Sequence, residues 1–129
     1  MTANTVTRLA DYTAPAWRID QVALTFTLNP GGTEVEAVLS MVQNTEGAPQ
    51  PLHLDGEQLT TQLIEIDGRE LSDSDYVMSD TALVISAPPE GRFSLRTRVQ
   101  IDPDSNTQLE GLYRSGGMYC TQCEAEGFR

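Results

Sequence analysis

The amino-acid sequence predicts an all-β protein, an antiparallel sandwich of short strands and hairpins. Three observations lead there. Apolar and polar residues alternate with a period of two in run after run, as in strands with one buried face. Turn signals rich in Gly, Pro and Asp-Gly interrupt these runs roughly every ten residues. No window combines a helical apolar period with helix caps at both ends. A length of 129 residues suits one domain with a single core.

Residues 1–16 are polar, close on Ala14-Pro15-Ala16 and read as an N-terminal arm, which leaves 17–129 for the β-domain. In "WRIDQVALTFTLNPGG", Val22, Leu24, Phe26 and Leu28 alternate with polar or small residues and are expected to form a buried face. Asn29-Pro30-Gly31-Gly32 is a turn, because Pro fixes φ and Gly tolerates positive φ. "TEVEAVLSMVQN" then alternates at Val35, Ala37, Leu39 and Met41, so the two runs read as a hairpin. "PLHLDGEQL" offers a short strand and a turn at Asp55-Gly56. "TQLIEIDGREL" offers another strand and then Asp67-Gly68, a favoured type I′ pair. Short strands follow at Tyr76 to Met78 and Thr81 to Ala87, broken by Pro88-Pro89-Glu90-Gly91. "RFSLRTRVQID" sets Phe93, Leu95, Val99 and Ile101 on one face and Ser94, Arg96, Arg98 and Gln100 on the other. In all, six to nine strands are expected.

The formal net charge is −11. A chain so poor in Lys and Arg is a poor match for a phosphate backbone or an anionic membrane surface. No apolar run approaches the roughly 18 residues of a membrane span. "MTANTVTRLADYTAPAW" lacks the apolar core of a secretory signal, so the expected location is the cytoplasm.

Catalytic signatures are sparse. The one histidine, His53 in "PLHL", alternates with leucines and reads as a residue on the polar face of a strand. It cannot supply a His-rich zinc set, and nothing around it suggests a Ser-His-Asp arrangement. "GLYRSGG" is Gly-rich, but a hairpin turn explains it better than a phosphate loop. Cys120-Thr-Gln-Cys123 has the spacing of half a zinc ribbon and no second pair. The acidic "EAEG" after it would raise a thiol pKa, which disfavours redox work. Side chains of Gln122, Glu124 and Glu126 would share one face of an extended segment. Such a row of acceptors suits a cation such as a protonated amine, or equally a solvated edge that discourages aggregation.

The closing run "LEGLYRSGGMYCTQCEAEGFR" resembles the end of the N-terminal domain of the bacterial aminopeptidase N family, zinc-dependent exopeptidases of the gluzincin class. "DYTAPAWRIDQVALTFTLNP" resembles that family's opening, and "LHLDGEQL" its L-x-L-(D/N)-G-E-x-L stretch, so the resemblance covers nearly the whole chain. It implies a saddle-like β-module packed on a thermolysin-like catalytic domain and ending in a substrate-anchoring segment, 109–129. The family's His-Glu-x-x-His, distal Glu ligand and Gly-Ala-Met-Glu-Asn motifs are absent here. The chain is therefore read as a fragment without catalytic residues or metal ligands of its own. The implied parent is a monomeric enzyme that removes N-terminal residues from peptides by zinc-assisted hydrolysis, with a downstream glutamate as base. By the same resemblance Glu124 grips the substrate's free α-ammonium, and Gln122 lines the pocket for its first side chain. Glu126 and Arg129 orient the loop, and Cys120 and Cys123 have no catalytic task. The competing expectation is a free-standing acidic β-sandwich binding module with Cys120 and Cys123 as a small metal or redox site.

Overall fold

The structure, a computed structural model, describes residues 6, 8–12, 14–29, 31–44, 50–109 and 111–122. Among them are ten strands and two single-turn 3-10 segments, at Leu9–Asp11 and Pro103–Ser105. The strands are β1 (Trp17–Thr27), β2 (Thr33–Gln43), β3 (Leu52–Asp55), β4 (Thr60–Ile66), β5 (Arg69–Glu70), β6 (Tyr76–Met78), β7 (Ala82–Ile85), β8 (Phe93–Ile101), β9 (Gly111–Ser115) and β10 (Met118–Gln122). The fold is all-β and antiparallel. The strand count exceeds the expected range by one because β5 is a two-residue fragment after the Asp67-Gly68 turn.

The largest sheet has the order β1-β2-β8-β4-β5, a second has β3-β7-β6, and β9 pairs with β10 as a separate hairpin. Local chemistry sets the turns. The buried Thr33 hydroxyl accepts from the Asn29 N–H at 3.1 Å and donates to the Asn29 carbonyl at 2.8 Å, locking the β1–β2 connection. Asp67 (φ 49°) and Gly68 (φ 83°) take the left-handed conformations that a type I′ turn requires. Asp67 also accepts from the Ser94 N–H at 2.9 Å, which ties the turn to β8. At Asp55-Gly56 the chain leaves β3 and crosses to the other sheet, so that turn separates layers instead of closing a hairpin.

The core lies where the second sheet meets the first. Met41, Phe93, Leu95, Ile64 and Ile66 face Leu52, Ile85 and Leu71, each buried and worth about 1.5–3 kcal/mol by apolar transfer. Trp17 closes one end, edge-on to Phe93 with ring centroids 5.3 Å apart, and its indole N–H donates to the Gln50 carbonyl at 3.0 Å.

One expectation is corrected. Val22, Leu24, Phe26 and Leu28 do not form a buried face: they are 54%, 52%, 47% and 53% exposed. The alternation is real, but β1 is the sheet's edge, and the core shared with the second sheet takes in only Trp17 of this strand. Register sets Val22 in a row with Leu39, Leu95 and Ile66, and a single row runs from exposed at β1 to fully buried at β8.

The opposite face of the large sheet is charged. Arg96 bridges Glu36 at 2.6 Å and Glu65 at 3.4 Å, while Arg98 reaches Glu34 at 3.2 Å. Arg18 and Arg92 both hold Asp20, at 2.9 and 2.7 Å.

Candidate substrate-anchoring hairpin

β9 and β10 form the last hairpin of the described chain. Gly116 (φ 58°) and Gly117 (φ 84°) join Ser115 to Met118 in a two-residue turn, which accounts for "GLYRSGG" as hairpin geometry. The hairpin is fastened to the 3-10 segment that follows β8. Asp102 caps that segment, accepting from the Ser105 hydroxyl at 2.7 Å and the Ser105 N–H at 3.3 Å, and Pro103 within it is buried. From there Asp104 takes the Arg114 guanidinium at 3.0 Å, and Asn106 donates to the Leu112 carbonyl at 2.9 Å. Arg114 also lies over the Tyr119 ring, 5.5 Å from its centroid, so one cation clamps both strands to the turn. Leu109 sits at φ 58°, uncommon for a branched residue, where the chain swings into β9.

Gln122 ends β10. It is exposed and pairs with Gly111. Cys120 is half-buried on the same strand. Glu110, Cys123, Glu124, Glu126 and Arg129 lie outside the described residues. His53 is an exposed residue of β3 with Nε2 3.5 Å from an Asp55 carboxylate oxygen, a solvated strand residue as expected.

Among the described residues no group of three His, Cys, Asp or Glu could hold a metal ion. The donors among the described residues do not fit a zinc site. No described helix is long and apolar enough to cross a membrane. Sequence reasoning missed two features: the Arg114–Asp104 clamp and an open groove of about 790 Å³, lined by both polar and apolar residues, between the five-stranded and three-stranded sheets. The turn-forming "DPDSN" could have flagged the clamp's base. The groove has no local signal, because residues distant in sequence line it.

Comparison with known proteins explains the hairpin's place. The chain is 49% identical over 121 residues to aminopeptidase N of Caulobacter vibrioides, covering 94% of this chain and 14% of that protein. It is 44% identical over 119 residues to aminopeptidase N of Escherichia coli, covering 92% of this chain and 13% of that protein. The chain thus spans about a seventh of the curated relatives it matches. No protein-family model matches it. Among solved structures, aminopeptidase A of Legionella pneumophila in complex with aspartic acid superposes with a TM-score of 0.81 at 26% identity, over 94% of this chain and 14% of that one. An M1 zinc metallopeptidase of Deinococcus radiodurans shares the fold, with a TM-score of 0.67 at 16% identity over 87% of this chain and 27% of that one. Sequence and fold agree over nearly the whole chain: it is a homologue of the N-terminal β-domain of the bacterial aminopeptidase N family.

Proposed function

We propose that this chain is the N-terminal β-domain of a zinc aminopeptidase and supplies part of the site that holds the substrate's free α-ammonium. The observation that carries the reading is the 49% identity to an aminopeptidase N across 94% of this chain. In this reading Glu124 takes the ammonium, and Gln122 lines the pocket for the first side chain. A carboxylate in a poorly solvated site favours a charged amine over a blocked one, which makes the enzyme an exopeptidase. Zinc and the general base belong to residues outside this chain. The domain packs on the catalytic part of the same polypeptide, and alone it hydrolyses nothing. The enzyme works as a cytoplasmic monomer on peptides, and the net charge of −11 on this chain offers nucleic acid or membrane lipid little attraction.

The hairpin gives this role a physical basis. β10 is paired in register with β9, and β9 is clamped to a turn whose Pro103 is buried. Anchoring matters because a misplacement of about 1 Å at the reacting carbonyl can lower the rate on the order of 100-fold. The test is to assay the full-length protein on one peptide with a free and with an acetylated N-terminus. Zinc-dependent release from the free form alone supports the reading; equal cleavage of both, or none of either by zinc-loaded protein, ends it.

A further inference from the structure

The groove between the five-stranded and three-stranded sheets combines an apolar floor with an acidic rim. Leu54 of β3 and Leu83 of β7, half-buried and packed against the core, line it from the small sheet, and half-buried Val99 of β8 lines it from the large one. Leu59 and Met78, 40% and 43% exposed, extend the apolar lining toward solvent. Three carboxylates, those of Asp55, Glu57 and Asp80, belong to the same lining, and no Arg or Lys among the described residues joins them. Residues 54–59 of this lining come from "LHLDGEQL", a stretch to which the anchoring of substrate gives no task.

Backbone bonds fix the rim. The Gly56 N–H donates to the Thr81 carbonyl at 3.0 Å, which ties the chain after β3 to the β6–β7 turn. Asp55 pairs with Ala82 across the small sheet, so Asp55 and Asp80 stand at neighbouring strand ends. Ser79 locks the turn that carries Asp80: its hydroxyl accepts from the Ala82 N–H at 3.1 Å, and its own N–H donates to the Ala82 carbonyl at 2.9 Å. Gly56 gives Leu59 room to fold back, since a Cβ at that position would meet the Leu59 side chain at 3.0 Å. Asp55 has His53 at 3.5 Å, whereas Asp80 has no hydrogen-bond or ion-pair partner among the described residues.

A volume of about 790 Å³ lies in the range of small-molecule sites. The lining decides which chemistry fits. An anion would face three carboxylates, and among the described residues no group of three donors could hold a metal ion. A neutral apolar molecule would cover the floor but draw water away from the rim without replacing its hydrogen bonds. An ammonium on an apolar body matches both parts, because its N–H groups donate to carboxylates while its body covers leucine. We propose that this groove binds a small amphipathic amine. Its apolar body lies against Leu54, Leu83 and Val99, and its protonated head meets the Asp55 and Asp80 carboxylates. The site is made of this chain's own residues and does not rest on the aminopeptidase reading.

Met78 is a native reporter, because it lines the groove and its thioether is open to oxidation. Full-length protein is treated with dilute hydrogen peroxide, and sulfoxide at Met78 is read by peptide mass during titration with 2-phenylethylamine or the neutral 2-phenylethanol. The expected result is saturable slowing by the amine, with the alcohol needing a roughly tenfold higher concentration for the same effect. Asp55→Asn with Asp80→Asn should abolish that preference; both residues are exposed, so the fold should tolerate the change. No slowing by the amine into the tens of millimolar overturns the proposal, and so does equal slowing by amine and alcohol. A preference that survives in the double variant also overturns it. Should that variant not fold, the comparison of amine with alcohol on the unaltered protein decides alone. A Met78 already protected without ligand means that the rest of the protein fills the groove, which ends the proposal. Protection lost in Glu124→Gln assigns the amine to the anchoring segment and ends it too. Oxidation at Met78 reports no catalysis, so this site and the aminopeptidase reading stand or fall separately.

Discussion

Arg114 and Asp104 hold each other at 3.0 Å, and that contact joins the C-terminal hairpin to the turn after β8. Both side chains are partly exposed, so the pair contributes at most about 1 kcal/mol to global stability. Its effect is local. Asp104→Asn is expected to leave the thermal midpoint nearly unchanged while amide exchange across 111–122 accelerates. A calorimetric melt reads the first and hydrogen-exchange mass spectrometry the second, and unchanged protection of the hairpin would show that the clamp does not hold it.

Leu95 is fully buried at the centre of the core. Leu95→Ala is expected to destabilise the domain by about 2–5 kcal/mol, the lost transfer energy plus the cavity left behind. Leu24→Ala, on the same face but exposed in this chain, is expected to cost the isolated segment far less. Urea unfolding of both variants separates them, and equal losses would contradict the assigned core.

Thr33→Val keeps the volume of a buried side chain and removes the hydroxyl that accepts from and donates to the Asn29 backbone. Leaving those groups unmatched is expected to cost about 1–3 kcal/mol. A change within a few tenths, read from the urea midpoint, would mean that the β1–β2 turn does not depend on this residue.

Acid is expected to weaken the fold. Arg18 and then Arg92 beside Asp20 hold its carboxyl below the ordinary value of 3.8, and the Arg96 guanidinium does the same for Glu36 relative to 4.5. The Ser72 N–H and hydroxyl lower Asp75 below 3.8. Carboxyls with depressed folded pKa values stabilise the fold above their unfolded values and lose that contribution as pH falls through the folded values. The thermal midpoint should therefore drop as pH goes from above 4.5 to below 3.8. Glu36→Gln should flatten part of that dependence, and an unchanged profile would remove Glu36 from the account.

Much of the fold was legible because strand periodicity and turn chemistry are local. β8 follows its alternation of Phe93, Leu95, Val99 and Ile101, and Asp67-Gly68 forms the turn its residue types favour. Exposure was less legible. Alternation states which face of β1 is apolar, whereas whether anything covers it depends on how far β3, β6 and β7 reach. The site was legible mainly through its resemblance to a family. Physical reasoning left the row of Gln122, Glu124 and Glu126 open between an amine site and a solvated edge, because a cation grip needs a second wall that this sequence does not contain.

The measurement that bears most directly on the central claim is steady-state kinetics of full-length Glu124→Gln on a peptide with a free N-terminus, alongside zinc content. The substitution keeps shape and removes the charge that the proposed role sets against the ammonium. The account expects KM to rise and kcat/KM to fall by roughly tenfold or more, as for loss of a charge-assisted hydrogen bond worth about 1.5–3 kcal/mol, with zinc unchanged. Unaltered kcat/KM at full zinc occupancy would contradict it.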